Sequence, residues 1–293
     1  MQFIQNFRLA LFSFYKAIRL IIAHQLGWYI LIPAILMLFV YQLGATIQQH
    51  QPETALKTMN DISWYFIQLL FEITIGFFFM RSAKYLVVIL LSPMIAQLSQ
   101  KTAFILTGEV TVFTMRQLIH DVERGIRIVL RNLMWEYLIF ALIYIFARIG
   151  WSHVQESPLI YLIFIVGFFY YGISFLDYTN ERLKRNMEES ILFARKNRGL
   201  AIGIGMIYSL MIWVPVDLKA LFNWSTFQTN PFEFIRLFVT NLFLWFIAAC
   251  APVVTVVTAT IAMYESEELS KKNNNPVDEQ LNGDKKNSGN MAN

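Results

Sequence analysis

The chain has 293 residues, of which 56% are hydrophobic and 15% charged, with a formal net charge of +4. That much apolar material excludes a soluble globular domain, and so slight and dispersed a positive balance excludes a basic nucleic-acid-binding face. One cysteine, Cys250, excludes an intrachain disulfide. The four histidines (His24, His50, His120 and His153) lack ligand spacing, so no metal site is expected. There is no phosphate-binding loop or dinucleotide fingerprint, no cofactor is expected, and no His, Asp, Ser or Cys pair is arranged for catalysis. The chain is therefore not read as an enzyme.

Six apolar runs lie near 28–47, 62–80, 133–149, 158–176, 200–215 and 236–263. Each is at or near the roughly 17–25 residues that cross a hydrocarbon core about 30 Å thick. They predict an all-α, polytopic helical membrane protein with about six membrane-embedded helices plus amphipathic interfacial helices. The membrane domain is expected over 1–265, with an interfacial helix in 1–26 and membrane helices and loops in 27–265. Lys and Arg crowd alternate gaps. Arg8, Lys16 and Arg19 precede the first run, and Arg81, Lys84, Lys101, Arg116, Arg124, Arg127 and Arg131 follow the second. Arg182, Lys184, Arg185, Arg195, Lys196 and Arg198 follow the fourth, whereas the intervening gaps hold only Lys57 and Lys219. Basic loops stay cytosolic, so both termini are expected in the cytosol of a multi-pass protein of a bacterial inner membrane.

In chain order, residues 3–22 predict an amphipathic helix lying on the membrane. Ile4, Phe7, Leu11, Phe14, Ile18 and Ile22 recur at steps of three and four, and Gln5, Arg8, Lys16 and Arg19 share another face. No cleavable signal peptide is seen there. His24-Gln25-Leu26-Gly27 breaks the helix before the first run. After the second run, residues 85–91 form an apolar extension that needs a cover, and Pro93 should end or kink it. Residues 114–132 read as a second interfacial helix, with Arg124, Arg127 and Arg131 on one face. That face suits phosphate headgroups or an entry funnel for an anion. Residues 180–198 read as a charged cytosolic helix with Asn180 as N-cap and Gly199 as its closing glycine. Residues 266–293 are too polar to bury a core and should form a disordered tail.

Polar groups inside the apolar runs need a reason, because a charge at depth costs roughly 2.5–3.5 kcal/mol on insertion scales. Glu72 sits midway in the second run and reads as functional, as a neutral acid, or as a helix–helix hydrogen bond. Glu136 and Arg148 near the ends of the third run are read as snorkelling. Asp177 closes the fourth run and should pair with a basic residue. Thr255, Thr258 and Thr260 follow Pro252, either repairing the backbone bond that proline frees or lining a hydrophilic path. Gly199 and Gly203 form a small-xxx-small pair that allows close helix approach.

With those residues in view, the chain resembles the CysZ-type sulfate permease family, grouped with the eukaryotic etoposide-induced 2.4 proteins, over roughly residues 8–265. The resemblance rests on several features in order. They are the amphipathic first helix ending before Leu26-Gly27, Ile32-Pro33, the break at Leu91-Ser92-Pro93 and the Leu176-Asp177-Tyr178 boundary. Arg195-Lys196-Asn197-Arg198-Gly199-Leu200 and Ala251-Pro252 complete the set. It implies long spanning helices, helix pairs that penetrate only part of the bilayer, homo-oligomers, and sulfate uptake feeding cysteine synthesis. In the permease branch a Gly-Leu-Arg turn opens the first spanning helix and helps hold the anion. The matching turn here is Gln25-Leu26-Gly27, with glycine where that arginine stands. The polar connections at 150–157 and 216–235 favour six full crossings over shallow hairpins.

The expected function is a membrane permease for a small oxyanion such as sulfate. Its substrate path would be drawn from Gln25, Leu26, Gly27, Arg81, Lys84, Arg124, Arg127 and Arg131. The expected partners are a bilayer with anionic headgroups, a small inorganic anion, and further copies of the chain; no nucleic acid is expected. The alternative is a non-transport membrane protein that organises lipids or partner proteins through the 85–91 extension and the basic amphipathic helices.

Overall fold

The computed structural model describes residues 2–39, 88–108, 115–151, 156–183, 185–217, 221 and 224–274. All regular structure among them is helical. The 62–80 run, Glu72, Arg81, Lys84 and most of the 85–91 extension lie outside the described residues.

Helix α1 (Gln2–Ala23) adds a bundle-facing side to the sequence reading. Its buried stripe is Ala10, Ser13, Ala17 and Ile21. Ile4 and Ile22, on the face expected to be its apolar anchor, are 64% and 73% exposed. The helix is docked into the bundle mainly by small residues with Ile21, Phe14 and Leu20 beside them, and turns Ile4, Leu11, Phe12 and Ile22 outward. Between helices in lipid there is no hydrophobic drive inward, so close van der Waals approach decides which face is buried. At Gln25 the backbone takes a left-handed conformation (φ 55°) and the chain turns. Helix α2 (Leu26–Phe39) then leaves at 106° to α1, opening with a 3-10 turn over Leu26–Ile30.

Residues 88–90 are helical, Leu91 turns, and Pro93 sits in the first turn of α3 (Ser92–Thr107), as its missing N–H dictates. Gly108, at φ 73°, closes α3 with its N–H donating to the Phe104 carbonyl at 2.8 Å. Val88 and Leu91, the described end of the apolar extension, are buried.

Helix α4 (Met115–Gly150) is one rod of 36 residues, about 54 Å long. The separate interfacial helix expected over 114–132 is instead its first half. No proline interrupts 115–150, so the charged segment runs straight into the apolar one. Helix α5 (Ile160–Arg182) likewise continues past the expected boundary at Asn180, which is buried on α5 and caps nothing. The cap is Asn186, whose side chain accepts the Glu189 N–H at 2.8 Å while the Glu189 carboxylate accepts the Asn186 N–H at 2.8 Å. This reciprocal pair starts α6 (Met187–Lys196). Gly199 does not close that helix; it lies in the first turn of α7 (Arg198–Ile212). The short α8 (Trp224–Thr229) precedes α9 (Pro231–Asn274), which runs beyond Ser266, where the disordered tail was expected to begin.

Three described helices are long and apolar enough to cross a membrane, over Glu123–Gly150, Ile160–Glu181 and Pro231–Glu267. Counting α1 and α2 as one bent span gives four among the described residues, which leave out the 62–80 run. At 15 residues, or about 22 Å, α7 is shorter than the hydrocarbon core.

The core lies where α7 packs against α5, α1 and α9. A Cβ on Gly205 would fall 1.7 Å from the Phe168 carbonyl oxygen, and one on Gly172 would fall 1.8 Å from that of Ala201. On another side of α7, a Cβ on Gly199 would meet the Phe3 carbonyl oxygen at 2.1 Å. The expected small-residue approach at Gly199 and Gly203 is therefore real, with α1 as its partner. Gly172 and Gly205 form a second such seam that the sequence reading missed. Tyr208 fills the middle, 4.8 Å from Phe175 and 5.9 Å from Tyr171 between ring centroids.

Candidate functional site

Two places hold the residues singled out in the sequence. The first is the turn between α1 and α2. Leu26 is buried and anchors the turn, while Gln25 and Gly27 are exposed. Both line an open concavity of about 550 Å³, with Ile21, Ile22, Trp28, Ile30 and Leu31 as its apolar walls. The first N–H groups of a helix have no intrahelical acceptor and carry the positive end of its dipole, so the head of α2 can receive an oxyanion. A Cβ on Gly27 would meet nothing within 4 Å, so a long side chain fits there.

The second place is the charged end of the bundle. Asp177, 3% exposed, receives Arg124 through two hydrogen bonds, from Nη2 at 2.9 Å and from Nε at 3.2 Å. Ser190 Oγ donates to the same carboxylate at 2.7 Å. Arg124 Nη1 also donates to the Arg185 carbonyl at 2.8 Å. Asn180 donates to Ser190 Oγ at 2.9 Å and accepts from Arg185 Nη1 at 2.7 Å. Arg185 is further paired with Glu267 on α9 and lies over the Phe193 ring, its guanidinium carbon 4.5 Å from the centroid. One network thus fixes the α5–α6 break to α4 and to the end of α9. Asp177 pairs with a basic residue as expected.

The expected row of three arginines is split by this arrangement. Arg124 is bound inward to Asp177, Arg127 is exposed and pairs with Glu123 at 2.9 Å, and Arg131 is half-buried, donating to Asn132 at 3.2 Å. Glu136 does not snorkel. It is 5% exposed between α4 and α5, 3.3 Å from where a Cβ on Gly167 would stand. Arg148 is exposed at the far end of α4.

Thr255, Thr258 and Thr260 of α9 are fully buried. Thr258 donates to the Val254 carbonyl at 2.7 Å and Thr260 to the Val256 carbonyl at 2.9 Å. Neither reaches the carbonyl of Ala248, four residues before Pro252, so the expected backbone repair is not what they do. With its proton spent on Val256, Thr260 accepts from Ser99 on α3 and Thr179 on α5, each at 3.2 Å. It is a hydrogen-bonded knot joining three helices. The Thr255 hydroxyl is buried and has no hydrogen-bond partner among the described residues.

A family model described as sulfate transporter CysZ/etoposide-induced protein 2.4 matches residues 13–223. The chain belongs to this family. No curated protein matches the chain. In this CysZ/etoposide-induced 2.4 member, the segments that carried the resemblance meet in space. The Tyr178 hydroxyl donates to Ser92 Oγ at 3.0 Å, joining the Leu176-Asp177-Tyr178 boundary to the Leu91-Ser92-Pro93 break. Asn6 donates to Asn197 Oδ1 at 2.9 Å, joining the first helix to the segment that leads into α7. Ser92 and Tyr178 were missed as partners because their pairing spans the fold, and Ser190 and Arg185 because theirs cross the α5–α6 break, which the sequence reading had placed inside one helix. Only the Asn186–Glu189 spacing could have been read directly. Tyr178→Phe is expected to lower stability by about 1 kcal/mol, the usual worth of one such bond, as a small drop in melting temperature in detergent.

Proposed function

We propose that this protein is a permease for a small oxyanion such as sulfate, set in a bacterial inner membrane with both termini cytosolic. The observation that carries this reading is the match to the sulfate transporter family over residues 13–223. The open head of α2 at Gln25, Leu26 and Gly27 supports it, since backbone N–H groups and a helix dipole can replace part of an anion's hydration. Arg124 drops out of the anion path, because its guanidinium is committed to Asp177. Arg81, Lys84, Arg127 and Arg131 remain as the basic groups that would draw anions to the protein.

Labelled sulfate uptake into proteoliposomes tests the proposal, with sulfite, thiosulfate and phosphate as competitors. Uptake above that of protein-free vesicles is expected. Equal uptake for all four anions with and without protein would discard the permease and favour the lipid- or partner-organising reading. A gain-of-function variant sharpens the test. Gly27→Arg places a guanidinium at the head of α2 in open space, where it can add charge-assisted hydrogen bonds of about 1.5–3 kcal/mol. Sulfate affinity should rise by about tenfold or more.

A further inference from the structure

A second cavity, of about 250 Å³, opens between α4, α5 and α6, away from the turn at Gln25–Gly27. Its polar lining includes Arg131, Arg195, Glu188 and Tyr170, and its apolar lining includes Trp135 and Leu192. Among the described residues, neither guanidinium is in a salt bridge. Arg131 spends one of its five N–H donors on Asn132. The lining's own two positive charges and one negative leave it one positive charge in surplus, and the Asp177 carboxylate, which also acts on Arg131, is already matched by Arg124.

We propose that this cavity binds the headgroup of a membrane glycerophospholipid carrying one net negative charge, with Arg131 and Arg195 gripping its phosphodiester. The charge balance selects the ligand. A phosphodiester with no ammonium brings a single negative charge and closes the surplus. The guanidinium is the side chain whose planar fork matches phosphate oxygens. The apolar lining separates lipid from a free ion. Leu192 is 68% exposed and Trp135 45% exposed, and an inorganic anion has no use for either. Acyl chains do. Arg131 also stands where α4 passes from its charged half (Glu123, Arg124, Arg127) to its apolar half, which is the depth of headgroups, and tryptophan beside arginine is the residue pairing of that layer. This inference is independent of the transport reading, because a protein that moves no sulfate can hold the lipid equally well.

The test uses the full chain, delipidated in detergent, with native mass spectrometry counting lipid retained as phosphatidylglycerol is titrated in. One tightly held phosphatidylglycerol is expected per chain. Arg195→Gln, an exposed position that leaves the fold intact, should weaken it by about tenfold, as should Arg131→Gln. Glu188→Gln should strengthen it, because the surplus positive charge doubles. Inorganic phosphate at the same concentration should displace none of it. Retention by an Arg131→Gln/Arg195→Gln chain equal to that of the wild type would overturn the proposal. So would displacement by equimolar inorganic phosphate, which would make this a free-anion site.

Discussion

Gly205→Leu will break the seam between α5 and α7 and leave little folded protein after detergent extraction. The first atom a side chain adds there would lie 1.7 Å from the Phe168 carbonyl oxygen, 2.7 Å from its carbon and 2.8 Å from the Gly172 nitrogen. All three are backbone, so no rotamer change can clear them. A Cβ on Gly172 would in turn lie 1.8 Å from the Ala201 carbonyl oxygen, which makes the approach reciprocal. Relief requires α5 and α7 to move apart along the most extensive helix–helix contact among the described residues. Ordinary overpacking in a core costs about 1–3 kcal/mol when side chains can shift; a backbone collision exceeds that range and consumes a large part of the 5–15 kcal/mol that holds a typical protein folded. Gly150→Leu is the control, because a Cβ there meets nothing within 4 Å. It should change stability by less than about 0.5 kcal/mol. Size-exclusion profile and melting temperature in the same detergent read both variants. A Gly205→Leu protein that elutes and melts like the wild type would disprove this packing.

What the sequence revealed and what it concealed divide along a physical line. Composition and the length of apolar runs report the solvent, so the all-helical membrane class was legible, and so were the turn at Gln25 and the break at Pro93. The need of a charge at depth for a counter-charge made the pairing of Asp177 legible as well. Faces were not. In α1 the periodic Ile4, Leu11, Ile18 and Ile22 marked the face turned to lipid, but nothing in the pattern showed that the Ala10–Ser13–Ala17 stripe packs into the bundle. Boundaries were not legible either. Asn180 and Asn186 are equally good caps by residue type. Only Asn186 has a glutamate three residues on, at Glu189, and that spacing was the available signal. The three arginines of α4 share a helical face, but sequence cannot say that the one nearest Asp177 turns inward while Arg127 stays in solvent. The candidate site at the head of α2 was legible only through family resemblance, since a Gln-Leu-Gly turn has no chemistry of its own.

Asp177→Ala should be the most destabilising side-chain truncation at the charged end of the bundle. The carboxylate is buried, it is gripped by two donors of Arg124, and it takes the Ser190 hydroxyl. Its removal strips Arg124, itself only 13% exposed at the side chain, of a carboxylate partner in a setting where water cannot replace it. Truncating one member of a buried ion pair costs about 3–5 kcal/mol, mostly as the desolvation of the charge left behind. Arg124→Ala should cost a similar amount, for the mirror reason. The double variant Asp177→Leu/Arg124→Met should then cost much less than the two singles combined, because it leaves neither charge of the pair buried alone, and a coupling above about 1 kcal/mol is expected. Melting of the four proteins in one detergent gives the cycle. Sulfate flux gives the second axis: variants that still reconstitute should keep the wild-type sulfate affinity, since Arg124 holds the α5–α6 break and touches no anion. If Arg124→Ala instead leaves melting unchanged and weakens sulfate uptake, the guanidinium belongs to the transport path and the structural role assigned to the pair is wrong.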